Sequence, residues 1–128
     1  MHKYCVIGKS LPHTLSPEIH KALGREIYDV KELSDESALS AFVKSREYDG
    51  YNVTIPYKQA VMPLIDEISD GAREIGAVNT VVTENGKLVG YNTDEEGMSY
   101  ALRRAGISLE GKNVLILGSG GTCKTAKY

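Results

Sequence analysis

Gly50-Tyr51-Asn52-Val53-Thr54-Ile55-Pro56-Tyr57-Lys58 sets a hydroxyl and an ammonium just past a run of strand-forming residues. Tyr51, Val53 and Ile55 favour extended backbone, and Pro56, lacking an N–H, ends the ladder. Open α/β sheets place ligands in the crevice beyond the carboxyl ends of their strands. Three other polar stretches are candidates to converge there: Thr14-Leu15-Ser16-Pro17, Ala77-Val78-Asn79-Thr80 and Tyr91-Asn92-Thr93-Asp94. Taken singly, each residue has a plainer role. Lys58 is a solvated lysine, Asp94 a helix-start acid, Ser16 a cap and Asn79 a structural amide. Taken together, Thr14, Ser16 and Thr54 supply hydroxyls, Asn79 an amide, and Lys58 and Asp94 a proton-transfer pair. That set suits a small polyhydroxylated carboxylic acid.

Gly118-Ser119-Gly120-Gly121-Thr122-Cys123 follows an apolar run, Asn113–Leu117, and opens a helical stretch. Against the dinucleotide fingerprint G-x-G-x-x-G/A the first two glycines match, one for the tight turn and one for approach of a diphosphate. Cys123 occupies the third small position and is read as a packing residue. The rival phosphate-loop reading of Gly118–Thr125 meets Cys123 where that motif needs its second glycine. A glycine-rich turn with no ligand is the bland alternative.

The elements that must position these groups read as α/β. Lys3–Gly8 is an apolar run ending in glycine, a buried first strand. Ser16-Pro17 opens a helix that stops at Gly24. Ile27–Val30 is a second strand. Ser34-Asp35 starts a helix with Leu39, Phe42 and Val43 on one face. Residues 49–55 are the strand that leads to Lys58. A short helix runs from Tyr57 to Pro63, and Ile65, Ile68, Ala72 and Ile75 have partial helical spacing before Gly76. Asn85-Gly86 between 77–83 and 87–91 predicts an antiparallel hairpin, with Asn79 inside its first strand. Thr93-x-x-Glu96 predicts a capping box for a helix that ends at Gly106, and Asn113–Leu117 is a further buried strand. The expected fold is a mostly parallel sheet with helices on both faces and one antiparallel hairpin, followed by the first βα element of a Rossmann domain.

The 128 residues make one domain's worth of chain, and 41% hydrophobic with 25% charged residues is ordinary for a globular protein. A net charge of −2 gives no footprint for nucleic acid, and no basic tract suggests a membrane surface. No apolar run is long enough to span a bilayer. His13 and His20 are too isolated for a metal site. Cys5 and Cys123 make no disulfide framework. Without a signal peptide, the cytoplasm is the expected compartment.

Five motifs stand in order over essentially the whole chain: Thr14-Leu15-Ser16-Pro17-x-Ile19-His20, Asn52-Val53-Thr54-Ile55-Pro56-x-Lys58, Gly76-Ala77-Val78-Asn79-Thr80, Gly90-x-Asn92-Thr93-Asp94 and Gly118–Gly121. With them the chain resembles the amino-terminal half of the shikimate dehydrogenases. The resemblance implies reduction of 3-dehydroshikimate to shikimate with NADPH, on the chorismate route to aromatic amino acids. It makes Lys58 the catalytic lysine and Asp94 its partner. Thr14 and Ser16 match the hydroxyls that hold the substrate carboxylate, and Thr54, Asn79 and Asp94 match groups on the ring hydroxyls. Gly118, Ser119, Gly120, Gly121 and Thr122 match the turn on the cofactor diphosphate. The implied division is 1–94 for shikimate binding, 95–112 as linking helix and linker, and 113–128 as the start of an NADP-binding domain.

The family's ribose-phosphate-reading segment and its carboxy-terminal helices have no counterpart in these residues, and NADP cannot be told from NAD without the former. The expectation is therefore a chain inactive by itself. A homodimer or exchange of the 113–128 arm is also expected, through apolar surface on the substrate domain. A non-catalytic shikimate-binding or interaction module and a quinate-active relative are the alternatives.

Overall fold

A computed structural model describes residues 2–25 and 27–128. Six strands form one sheet in the order β2-β1-β3-β5-β6-β4, flanked by helices. They are β1 (Tyr4–Gly8), β2 (Tyr28–Glu32), β3 (Gly50–Val53), β4 (Glu67–Ile68), β5 (Thr80–Glu84) and β6 (Lys87–Tyr91). The helices are α1 (Ser16–Ala22), α2 (Glu36–Ser45), α3 (Asp70–Ile75), α4 (Asp94–Arg104) and α5 (Gly121–Lys127), with a 3₁₀ turn at Met62–Leu64. β1 pairs in parallel with β2 and β3, and β4 in parallel with β6, while β5 runs antiparallel to both its neighbours.

Period-two alternation divides the central strands between two environments. Cys5 and Ile7 of β1 and Tyr51 and Val53 of β3 enter the core with Leu39 and Val43 of α2. Val6, Asn52 and Thr54 alternate with them and line a cavity on the other face. α2 begins where its cap predicts, with Asp35 accepting the Ala38 N–H at 2.8 Å. The hairpin turns at Asn85 and Gly86, both at positive φ (50° and 80°), as a type I′ turn requires.

Four local expectations are corrected. The helix expected from Tyr57 is a run of turns leading into the 3₁₀ turn at Met62–Leu64. The helical spacing over 65–75 is interrupted by β4, which pairs Glu67 with Val89 and Ile68 with Gly90. Asp66 secures that pairing, since its N–H donates to Leu88 O (3.0 Å) and its carboxylate accepts the Leu88 N–H (2.7 Å). A long-range ladder has overridden a local periodicity. Asn79 lies just before β5 rather than inside a strand. Asn113–Leu117 forms no strand, and Val114, Leu115 and Leu117 are exposed. The sheet ends at β2 and β4, and this segment lies on neither edge, so its backbone has no ladder to join.

Candidate active site

β3 ends at Val53, and the chain turns at once. The Thr54 N–H donates to Ile7 O at 3.0 Å and the Tyr57 N–H to Thr54 O at 2.9 Å. The Tyr57 hydroxyl donates to Leu33 O at 2.5 Å and anchors the far side of the turn. Gly8, at the end of β1, allows this approach, because a Cβ there would lie 2.8 Å from Thr54 Cγ2 and 2.9 Å from Leu11 Cδ2. The turn delivers Lys58 against Asp94, the first residue of α4, with Nζ and Oδ2 2.5 Å apart. The Lys58 side chain keeps only 12% of its exposure and that of Asp94 31%, so solvent screens this pair less than an ordinary surface ion pair.

The cavity in front of them is open and about 290 Å³, lined by Ser16, His20, Asn52, Thr54, Lys58, Asn79 and Asp94 among others. Thr14 lines an adjoining cavity of about 370 Å³ that shares Ser16 and Thr54. The two hydroxyls are connected, with Thr14 Oγ1 donating to Ser16 Oγ at 3.2 Å. Four of the six expected side chains thus meet Lys58 and Asp94 at one hollow or at its rim. Ser16 is the first residue of α1 and does not cap it; Leu15 is the cap and makes no side-chain bond. The Ser16 N–H donates to Thr14 Oγ1 at 3.3 Å, which leaves the Ser16 hydroxyl facing the cavity.

Asn79 is buried and built into the wall. Its amide oxygen accepts the Thr93 N–H (2.9 Å) and the Thr80 hydroxyl (3.0 Å), and its amide nitrogen donates to Thr93 Oγ1 (2.9 Å). This overturns the capping box, because the Thr93 hydroxyl is bonded to Asn79 and makes no cap bond. Asn92 Oδ1 instead accepts the Asp94 N–H at 3.0 Å.

Four contributors escaped the reading of the residues. Asn52 Nδ2 donates to Thr80 Oγ1 (3.2 Å), and its Oδ1 accepts the Tyr28 hydroxyl (2.7 Å). Tyr28 stacks on His20 with centroids 3.9 Å apart. Burial raises the Tyr28 hydroxyl to about 12, partly offset by a bond to Ser16, so Tyr28 stays a donor at neutral pH. Asn92 is the fourth. Asn52 alone had a visible signal, since its alternation with Tyr51 and Val53 puts it on the face of Thr54.

The glycine-rich turn sits beside this cavity. Gly118 has φ 129°, a value side chains rarely adopt, and a Cβ on Gly118 or Gly120 would meet nothing within 4 Å. The backbone at both positions faces open space. Gly121 begins α5 against Lys58, and Cys123 is buried, as a packing residue would be. Lys124, the lysine of the phosphate-loop reading, reaches toward Gly76. Among the described residues no group of three or more His, Cys, Asp or Glu is placed to hold a metal, and no helix is long and apolar enough to cross a membrane.

The family model for the shikimate dehydrogenase substrate binding domain matches residues 6–81. A shikimate dehydrogenase (NADP(+)) from Carboxydothermus hydrogenoformans is 43% identical, over 96% of this chain and 46% of its own length. The crystal structure of shikimate dehydrogenase 1 from Peptoclostridium difficile superposes with a TM-score of 0.91 at 40% identity, covering 99% of this chain and 51% of that one. The Thermus thermophilus enzyme, solved in complex with NADP(H) and shikimate, gives 0.86 at 38% identity over 98% of this chain and 50% of that one. The chain spans about half the length of these relatives. With the family model matching more than half of the chain and these relatives in agreement with it, the chain belongs to the shikimate dehydrogenase family and matches its substrate-binding domain over residues 6–81.

Proposed function

We propose that this chain forms the substrate-binding part of an NADP-dependent shikimate dehydrogenase, an oxidoreductase interconverting 3-dehydroshikimate and shikimate. The observation that carries this reading is the Lys58–Asp94 pair, 2.5 Å apart, at a hollow ringed by Ser16, Thr54 and Asn79. Thr14 and Ser16 hold the substrate carboxylate at one end. Thr54, Asn79 and Asp94 take the ring hydroxyls, and Lys58 faces the carbonyl carbon's oxygen.

The chemistry asked of the protein is a proton. Reduction of the ketone leaves charge on oxygen, and the Lys58 ammonium donates to it as it forms. In the reverse direction the Lys58 amine takes the hydroxyl proton. General acid catalysis of this kind is worth about 10²–10⁴-fold. Asp94 keeps the ammonium in one orientation, so little reorganisation is needed at the moment of transfer. NADP supplies the hydride when bound. Gly118, Ser119, Gly120, Gly121 and Thr122 would hold its diphosphate, and the open backbone at Gly118 and Gly120 fits that part of the cofactor.

We divide the chain into a shikimate-binding unit (1–94), a linking helix and linker (95–112) and the opening of the cofactor unit (113–128). The exposed apolar residues Val114, Leu115 and Leu117 support association through the last of these, as a homodimer or by exchange of the arm. We place the protein in the cytoplasm, where the two unpaired cysteines would stay reduced. The chain by itself is expected to lack NADP-dependent turnover of shikimate.

Calorimetric titration with shikimate and with its methyl ester tests the binding reading. Shikimate should bind, and both the ester and Ser16→Ala should weaken binding by roughly tenfold or more, the worth of a hydrogen bond to a charged group. Equal affinity for acid and ester, or no binding to a folded chain, would overturn it.

A further inference from the structure

α5 reaches both members of the Lys58–Asp94 pair by two routes, one lying directly against Lys58 and one running through Asn92 to Asp94. The first is steric. A Cβ added to Gly121 would lie 3.0 Å from Lys58 Cβ, 3.1 Å from Lys58 Cδ and 3.5 Å from Ala77 Cβ. Lys58 Cβ is fixed by the backbone, so the crowding cannot be relieved by swinging the end of the side chain. The glycine lets the start of α5 lie along the lysine stem. No positive φ calls for glycine at this position, in contrast to Gly118.

The second route is polar. Thr125 is buried on α5, and its hydroxyl donates to Gly121 O at 3.2 Å. Thr125 Oγ1 in turn accepts from Asn92 Nδ2 at 3.2 Å, and Asn92 Nδ2 also donates to Ala77 O at 3.0 Å. The Asn92 carbonyl oxygen, fixed by those two bonds, accepts the Asp94 N–H at 3.0 Å. One amide therefore ties α5, the segment leading to Asn79 and the first residue of α4 to one another.

We propose that Gly121 and Thr125 are positioning residues for the Lys58–Asp94 pair: Gly121 by seating α5 on the lysine stem, Thr125 by fixing Asn92 and through it the backbone of Asp94. The inference rests on the reading of that pair as the proton-transfer groups. It gives α5 a role in the substrate site that is separate from holding a diphosphate. The start of the cofactor unit would then shape the site it serves before any ligand arrives.

The test is the ¹H–¹⁵N resonance of the Lys58 ammonium in the labelled full chain, assigned by its absence in Lys58→Arg. A shielded ammonium held by a carboxylate exchanges slowly enough to be observed. Gly121→Ala should shift this resonance or abolish it while the backbone amides of β1, β3 and β5 stay in place. Gly71→Ala on α3, whose added Cβ meets nothing within 4 Å, should leave it unchanged. Thr125→Val keeps the volume and removes the hydroxyl; it should shift the Asn92 side-chain amide, the Asp94 N–H and the Lys58 ammonium together, and Thr125→Ser should restore them. This second series decides the matter if Gly121→Ala does not fold. An unchanged Lys58 resonance in folded Gly121→Ala, or in Thr125→Val, would overturn the proposal. If the resonance moves as expected but shikimate binds no variant, wild type included, the positioning role stands and the substrate reading falls.

Discussion

Two segments of this chain share one hydrophobic pattern and have opposite surroundings. Lys3–Gly8 reads KYCVIG and Asn113–Gly118 reads NVLILG, each an apolar run closed by glycine. The first contains β1, hydrogen-bonded on both sides by β2 and β3, with Cys5 and Ile7 fully buried. The second has no strand partner, and its Leu115 and Leu117 are 83% and 88% exposed. A strand is thus a property of a pair rather than of a run. Apolar residues make burial favourable, but the backbone N–H and C=O groups need a ladder before the segment can be buried. The closing glycines differ for the same reason. Gly8 is packed against Thr54 and Leu11, whereas Gly118 has open space around it and a left-handed φ.

The largest expected effect follows directly. Ile7→Ala removes a core side chain and should cost about 2–5 kcal/mol in urea denaturation, whereas Leu115→Ala should stay within about 0.5 kcal/mol. A Leu115→Ala loss that grows with protein concentration would report the association proposed through 113–128, whereas comparable losses for the two in the dilute monomer would break the contrast. Smaller, but closer to the site, is Gly8→Ala. Overpacking against Thr54 Cγ2 should cost about 1–3 kcal/mol and displace the Thr54 amide resonance. Leu117→Ala in the second segment, at an 88% exposed side chain, should do neither.

A further effect concerns pH. Burial, with Asp29 nearby, raises the Cys5 thiol from 9.0 to about 12. The folded chain therefore keeps a proton that the unfolded chain gives up. The stabilisation is complete below pH 9 and lost as pH rises toward 12. Tyr28, raised from 10.0 to about 12, acts in the same direction. Urea midpoints measured between pH 8 and pH 11 should fall in wild type and fall less in Cys5→Ala. Identical slopes would mean that β1 is less sealed than its contacts indicate.

Much of this arrangement was legible in the sequence because its causes are local. The Asp35 cap, the Asn85-Gly86 turn, and β1 with its closing glycine each depend on a few adjacent residues. The six candidate site residues stand in the ordered motifs, and the structure brings them to one hollow or its rim. What could not be read depends on partners far away in sequence. Thr93 looked like a cap, but its hydroxyl is bonded to Asn79, fourteen residues earlier. β4 exists because Leu88 and Asp66 exchange hydrogen bonds across 22 residues. Asn92 carries no signal of its own, since its importance lies in joining Ala77, Asp94 and Thr125. Residues 113–117 show the converse, a strong local signal with no distant partner to act on it.

The buried segment and its neighbours are proposed to assemble a shikimate site around Lys58 and Asp94. Backbone amide NMR of the ¹⁵N-labelled chain, titrated with shikimate, tests it most directly, with Lys58→Ala alongside. The account predicts saturable shifts clustered at residues 14–16, 54–58, 79 and 94, weakened in the variant, with 107–117 unmoved. A folded chain whose amides do not respond, or whose response is the same without Lys58, would contradict it.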